Sequence, residues 1–267
     1  MIAKTEEEKM HSQKHPIIFC GAGPGDPELI TVKGQKALQQ ADLVLYAGSL
    51  VPEAVLRWAP AGAQRISSAE MTLEQIVATM VQAFRQSRRV VRLHTGDPSL
   101  YGALFEQLAE LRKLQIPCHV IPGVTAAFAA AAAMGLEYTL PEITQTLILT
   151  RMAGRTPVPE AECLGSLARH QASMAIYLSM AMVDQVTAVL AKTYGPRAGC
   201  LVAYKVSHPE EKMVMTTVAD LAAEVRACGI DRHALIVVGP AVGRPQGRDG
   251  VRSNLYAAGF SHGYRRA

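Results

Sequence analysis

From residue 17 onward, short apolar runs alternate with segments of helical spacing. Ile17–Cys20, Leu43–Tyr46, Val90–His94 and His119–Ile121 are apolar and short, the pattern of buried strands. Between them, Thr72–Ser87 places Leu73, Ile76, Val77, Met80, Val81 and Phe84 on one helix face. Thr72 and Gln75 have the spacing of a capping box at its start. Tyr101–Leu114 repeats the helical pattern with Tyr101, Leu104, Phe105, Leu108 and Leu111. Strands alternating with helices predict βαβ units and a parallel sheet covered on both faces.

The second half of the chain has a different rhythm. The alanine-rich Val124–Met134 predicts a tightly packed helix ending near Gly135. Strands are expected at Thr146–Thr150, Met174–Leu178, Leu201–Val206, Lys212–Met215 and Ala234–Val238, with helices at Ala181–Thr193 and Val218–Cys228. Only Ser207–Glu211 separates two of these strands. That gap suits an antiparallel hairpin and is too short for a crossover helix, so the second sheet is expected to be mixed. The fold class is α/β in two domains, with boundaries expected at 16–122 and 123–244. Residues 1–15 and 245–267 read as a flexible tail and a polar tail.

Composition narrows the function classes. Of the 267 residues, 49% are hydrophobic and 19% charged, which excludes disorder for the bulk of the chain. Five cysteines cannot all pair within one chain. Cys20, Cys118, Cys163, Cys200 and Cys228 show no CxxC spacing, so they read as small buried thiols in a reducing compartment and not as a zinc site. The eight histidines lack an HExxH pattern, and no metal site is expected. A net charge of +4 suits an anionic small molecule and is too small to argue for nucleic acid. The N-terminal residues lack the apolar stretch of a signal peptide, and no apolar run is long enough to cross a membrane, so a cytoplasmic protein is expected.

Candidate chemistry gathers at strand ends. Gly21-Ala22-Gly23-Pro24-Gly25-Asp26-Pro27 follows the first strand, where ligands of open α/β sheets bind. It departs from the dinucleotide fingerprint: Asp26 stands at the third glycine, where its charge repels a pyrophosphate, and Pro24 lacks an N–H. A ligand without phosphate fits better. A second Gly-Asp-Pro turn, Gly96-Asp97-Pro98, follows strand Val90–His94, and Ile121-Pro122-Gly123-Val124-Thr125-Ala126 closes a third strand. Asp97 and Thr125 also suit plain helix or turn caps.

Taken in order, GAGPGDPELIT, RLHTGDP, IPGVTAAFAAAAAMG, YLSM and ALIVVGPAV resemble the tetrapyrrole (corrin/porphyrin) methylase family over roughly residues 17–243. The resemblance implies two α/β domains with the cofactor S-adenosylmethionine in the cleft between them, S-adenosylhomocysteine as product, an anionic tetrapyrrole substrate and a homodimer, with neither nucleic acid nor membrane as partner. The stretches Asp42–Val51 and RLHTGDPSLYGA look most like the members that methylate C11 of precorrin-4 in cobalamin synthesis. Members acting on cobalt-precorrin-4, or on another tetrapyrrole carbon, are the alternatives, and a noncatalytic tetrapyrrole-binding module is the alternative of another class.

Carried over by position, the cofactor contacts are Pro24, Gly96, Asp97, Leu100, Thr125 and Ala126, then Leu178 and Val206, with Ala234 and Pro240 as lesser additions. Leu178 stands where several relatives have Met, and Val206 where some have Gly. Methyl transfer from a sulfonium is an in-line displacement, so alignment at about 3–3.5 Å is the protein's main task. A base for the later proton loss is sought at Asp97, Tyr46 or His94. Arg92, Lys205, Arg151 and Arg155 are the candidates for meeting substrate carboxylates.

Overall fold

The structure is a computed structural model that describes residues 15–48, 50–243, 253 and 257–266. Most of the two expected tails, and Ser49, lie outside the described residues. The chain forms two compact units. The first runs to Ala129 and takes in Ser207–Pro209; the second holds Ala130–Val206 and the chain from Glu210 onward. The division falls inside a helix, beyond the Pro122-Gly123 punctuation at which the sequence suggests a boundary.

In the first unit, β1 (Ile17–Gly21), β2 (Leu43–Tyr46), β3 (Gln64–Ser67), β4 (Val90–His94) and β5 (Cys118–Ile121) form one sheet in the order β3-β2-β4-β1-β5. Every pairing is parallel. Its helices are α1 (Val32–Gln39), α2 (Leu73–Arg85), α3 (Leu104–Lys113) and the start of α4 (Ala126–Met134). Strand alternation sends Cys20, Val44, Val91 and Leu93 to one face, where Leu38 of α1 and the 3-10 turn at Glu53–Trp58 pack. Ile17, Phe19, Leu43, Leu45 and Val90 go to the other, against Met80, Val81 and Phe84 of α2 and Leu111 of α3. Each fully buried large side chain contributes about 1.5–3 kcal/mol.

The capping box of α2 forms as expected: Thr72 Oγ1 accepts from Gln75 N, and Gln75 Oε1 from Thr72 N. Helix α3, in contrast, begins at Leu104, three residues later than the apolar register suggests. Tyr101 (φ 55°) and Ala103 (φ 48°) are left-handed and cannot belong to a right-handed helix. Phe105 is 82% exposed and drops out of the core face of α3, which is formed by the expected Leu104, Leu108 and Leu111 with buried Gln107 beside them.

The second unit contains β6 (Leu147–Arg151), β7 (Ser173–Tyr177), β8 (Gly199–Tyr204), β9 (Lys212–Thr217) and β10 (Ala234–Val238), ordered β6-β7-β10-β8-β9. The β6–β7 pair is parallel and the other three pairs are antiparallel, β8 and β9 forming the expected hairpin. On one face Met174, Ile176, Val202, Ile236 and Val238 pack with α5 (Leu164–Ala168), α6 (Val183–Thr193) and α7 (Leu221–Ala227). All five cysteines are free, but only Cys20 and Cys200 are buried; Cys118 and Cys228 are half-buried and Cys163 is exposed, unlike the uniform burial expected.

Candidate functional site

Topology marks the place. β1 leads into α1 on one face of the first sheet, and its neighbour β4 leads into α3 on the other. The connections leaving two adjacent parallel strands therefore go to opposite faces, the kind of switch point outside whose strand ends open α/β sheets bind ligands. Both Gly-Asp-Pro loops begin there.

Glycine lets the loops meet. Ala22 N donates to His94 O at 2.7 Å, Gly96 N to Gly23 O at 2.8 Å, and Gly23 N to Gly96 O at 3.3 Å. The β5 loop joins them: a Cβ on Gly123 would lie 2.1 Å from Gly96 O, and one on Gly21 would lie 2.5 Å from the same oxygen. No side chain fits at either position. Gly96 has φ +58°, so glycine is also favoured there by conformation.

Asp97 fastens this junction. Its Oδ2 accepts from Gly123 N at 2.8 Å, and its Oδ1 accepts from Ser99 N at 2.8 Å and from Ser99 Oγ. Burial pushes the carboxyl up, but Ser99, Gly123 and the nearby His94 outweigh it and hold the group below its ordinary value. The carboxylate is thus ionised at neutral pH and accepts at both oxygens.

Beneath the junction lies a polar floor. Arg92 is only 5% exposed. Its Nε donates to Gln107 Oε1 at 3.0 Å, and its Nη1 to Ser68 Oγ at 2.9 Å and Leu45 O at 3.3 Å. No carboxylate pairs with it among the described residues. Burial lowers its pKa to about 10, which leaves it charged at neutral pH. His94 is buried beside it, with a backbone hydrogen bond to Gly102 and the Phe19 ring 5.9 Å away. Its Nε2 has no partner among the described residues. Burial first, then Arg92, drive its pKa to about 3, so the ring is neutral.

Of the N–H groups that a phosphate would need on the first loop, three are engaged or missing. Gly23 N is on Gly96 O, Asp26 N is on Ser207 Oγ at 2.9 Å, and Pro24 has none. Residues 16–222 match the profile of the tetrapyrrole (corrin/porphyrin) methylases. The chain belongs to that family. It is 47% identical over 252 residues to a cobalt-precorrin-4 C(11)-methyltransferase of Methanocaldococcus jannaschii, covering 94% of this chain and 96% of that one. It is 48% identical over 249 residues to a precorrin-4 C(11)-methyltransferase of Pseudomonas aeruginosa, covering 93% and 98%. Among solved structures, a cobalt precorrin-4 methyltransferase of cobalamin biosynthesis matches with a TM-score of 0.82 at 46% identity, over 84% of this chain and 95% of that one. A uroporphyrin-III C-methyl transferase from Thermus thermophilus, complexed with S-adenyl homocysteine, matches with a TM-score of 0.69 at 25% identity, over 84% and 92%.

Of the positions that this tetrapyrrole methylase shares by motif, the structure brings Gly96, Asp97 and Thr125 together in the first unit. An added Cβ on Gly96 would lie 3.7 Å from Thr125 Cα. Pro24 lies in the loop bonded to Gly96 through Gly23. Leu100 N donates to Asp97 O at 3.2 Å, and Ala126 opens α4 directly after Thr125. Leu178 and Val206 belong to the second unit. Both were expected inside strands and both lie beyond them, because β7 ends at Tyr177 and β8 at Tyr204. Leu178 is left-handed (φ 51°) and 63% exposed; Val206 is buried between left-handed Lys205 and Ser207.

The remaining candidates separate clearly. Lys205 pairs with Glu210 at 3.0 Å, and Arg151 holds its own loop through Pro157 O at 2.7 Å and Thr156 O at 3.2 Å. Arg155 is exposed, and Tyr46 ends β2 half-buried. Ala234 opens β10, and Pro240 lines a separate cavity of about 420 Å³ with Tyr194 and Arg197. Sequence reasoning overlooked Ser207 and His208. His208 Nε2 lies 3.1 Å from Pro24 O, 184 positions away in the chain, and no spacing rule reaches that far.

Proposed function

We propose that this chain transfers a methyl group from S-adenosylmethionine to C11 of precorrin-4, as a step of cobalamin biosynthesis. The observation that carries this reading is the 47–48% identity, over 93–94% of the chain, with proteins named for that reaction. The glycine junction supports the choice of cofactor. Gly23 N and Asp26 N are already engaged and Pro24 has no N–H, which suits a ligand without phosphate, and S-adenosylmethionine carries a sulfonium and a carboxylate but no phosphate.

Bound S-adenosylmethionine supplies an electrophilic methyl on a positively charged sulfur. The work of the protein is alignment. In the first unit Gly96 and Thr125 would supply main-chain surface to the cofactor, with Pro24, Leu100 and Ala126 around them. Asp97, expected from the sequence to act in catalysis, holds the β4 and β5 loops in register. The ionised carboxylate already accepts at both oxygens. A second reading, with cobalt-precorrin-4 as substrate, is favoured by the Methanocaldococcus relative.

We also propose a cytoplasmic homodimer. No helix among the described residues is long and apolar enough to cross a membrane. Strand β5 is a sheet edge with Val120 43% exposed, and Phe105 and Phe128 of the same unit are 82% and 53% exposed, apolar surface that a second copy would cover. Sedimentation of the purified chain should give a dimer, and a monomer would remove this part of the proposal. The test of the reaction is incubation with methyl-labelled S-adenosylmethionine and either precorrin-4 or its cobalt complex, with NMR of the product. Label at C11 is expected. Label at another carbon, or none, would overturn the reading, and the preferred acceptor decides between the two substrates.

A further inference from the structure

We propose that His208 and Ser207 are positioning residues that set the shape of the Pro24–Asp26 loop and, through it, the affinity for the S-adenosyl cofactor. The inference rests on the cofactor reading above. Three contacts converge on three consecutive loop residues. His208 Nε2 donates to Pro24 O at 3.1 Å, which fixes the ring in a form carrying a proton on that nitrogen. The same ring packs against Gly25, where an added Cβ would sit 2.2 Å from His208 Cδ2. Ser207 Oγ accepts from Asp26 N at 2.9 Å.

The loop is also anchored at its two ends, where Gly23 pairs with Gly96 and Asp26 O accepts from Leu29 N at 3.0 Å, but less so between them. Pro24 donates nothing, and the Asp26 carboxylate turns forward to cap Glu28 N. The orientation of the Pro24 carbonyl therefore depends on His208, and that of the Asp26 amide on Ser207. The segment is itself constrained: Ser207 has φ +64° and Lys205 φ +43°, left-handed conformations that residues with side chains keep only where neighbours hold them. Gly25 is explained by the same arrangement. Its φ is not left-handed, so glycine is needed there for the space that the imidazole fills and not for conformation.

The test is calorimetric titration of S-adenosylhomocysteine, together with steady-state kinetics, on the full chain. His208→Ala should raise Kd and the KM for S-adenosylmethionine about tenfold, about 1.4 kcal/mol, and leave kcat and the tetrapyrrole KM unchanged. His208→Gln, whose amide can donate to the Pro24 carbonyl, should recover most of that loss. Ser207→Ala, the milder variant, should weaken binding in the same direction. Gly25→Ala should weaken binding in the native background and add nothing to His208→Ala, since the clash disappears with the ring. Unchanged affinity in His208→Ala would overturn the proposal, as would Gln failing to rescue, or Gly25→Ala costing as much without the imidazole as with it. Wild-type protein that does not bind S-adenosylhomocysteine would overturn the cofactor reading instead.

Discussion

Gly25-Asp26-Pro27 and Gly96-Asp97-Pro98 follow neighbouring strands of one sheet, and locally they do the same thing. Asp26 Oδ1 accepts from Glu28 N and Asp97 Oδ1 from Ser99 N, each two residues on and each at 2.8 Å. The likeness ends at the second oxygen. Asp97 Oδ2 reaches Gly123 on a third strand end, whereas Asp26 ties to distant chain only through its backbone N–H, to Ser207. What precedes the loops differs too. β1 ends in Cys20-Gly21, with a thiol that burial pushes up to about 12, and β4 ends in a neutral, buried His94. One tripeptide thus serves as turn punctuation in the first loop and as a fastener between strands in the second. The distinction lies in partners far off in sequence.

The largest effect should come from the atom all three loops crowd. Gly123→Ala puts a Cβ 2.1 Å from Gly96 O and 2.8 Å from Gly21 Cα, all backbone that no rotamer change can move aside. Overpacking of this kind costs about 1–3 kcal/mol and occasionally more, and we expect the upper end. S-adenosylhomocysteine binding should fall below calorimetric detection. Gly62→Ala, with nothing within 4 Å of its Cβ, is the matched control and should leave both stability and binding in place. Wild-type affinity in Gly123→Ala would mean that the junction is not the cofactor site.

Asp97→Ala comes next. It leaves Gly123 N and Ser99 without their acceptor, a loss of about 1–3 kcal/mol. Loosening the loops should lower kcat/KM about a hundredfold while the chain stays folded, as circular dichroism would check. The pH dependence has a fixed sign. The folded carboxyl lies below its ordinary 3.8, so its contribution is complete above the unfolded value and is lost as pH falls through the folded one. Denaturant curves for wild type and Asp97→Ala should therefore stay apart at neutral pH and begin to converge only as pH falls below about 4.

His94 sharpens the contrast between the floors of the two loops. Its folded pKa of about 3 lies below the 6.5 of a free histidine, so the unfolded chain binds the extra proton and stability falls as pH drops below 6.5. Between pH 6.5 and 5.5 the wild type should lose about 1 kcal/mol more than His94→Gln, read from denaturant midpoints. Cys20→Ser, at the end of β1, keeps His94 and should therefore follow the wild-type acid slope. Equal slopes in wild type and His94→Gln would contradict the neutral, desolvated ring.

Much of this fold can be read in the sequence where burial is complete. β2, β4 and β10 begin and end where their apolar runs do, because strands covered on both faces show continuous hydrophobicity. β3 (Gln64–Ser67) escapes notice because it is a mostly exposed edge strand of polar residues. In α1, only Gly34 and Leu38 are buried, too little to set a helical period. The apolar register that assigns Tyr101 to α3 cannot register a left-handed backbone. At the site, the glycines and Asp97 announce loops at strand ends, but their meeting at one carbonyl oxygen depends on strand order, with β5 beside β1 beside β4. Leu178 and Val206 fall past strand ends for the same reason: a turn that needs positive φ at a residue with a side chain leaves no mark in the apolar pattern.

Asp26→Ala is the smallest expected change and the most direct test of the comparison. The substitution removes one cap, the bond from Oδ1 to Glu28 N, at a 3-10 turn of three residues on an exposed stretch. Loss of a cap costs about 1 kcal/mol. The loop's long-range ties survive it, because Asp26 N still donates to Ser207 and Pro24 O still accepts from His208, both through backbone atoms that alanine keeps. Kd for S-adenosylhomocysteine should therefore stay within about threefold of wild type, less than 0.7 kcal/mol. The same tripeptide would then carry two carboxylates of unequal weight, one whose removal lowers kcat/KM about a hundredfold and one whose removal leaves cofactor affinity nearly intact. A loss in Asp26→Ala equal to that in Asp97→Ala would instead show that the forward cap, and not the reach to Gly123, is what both loops require.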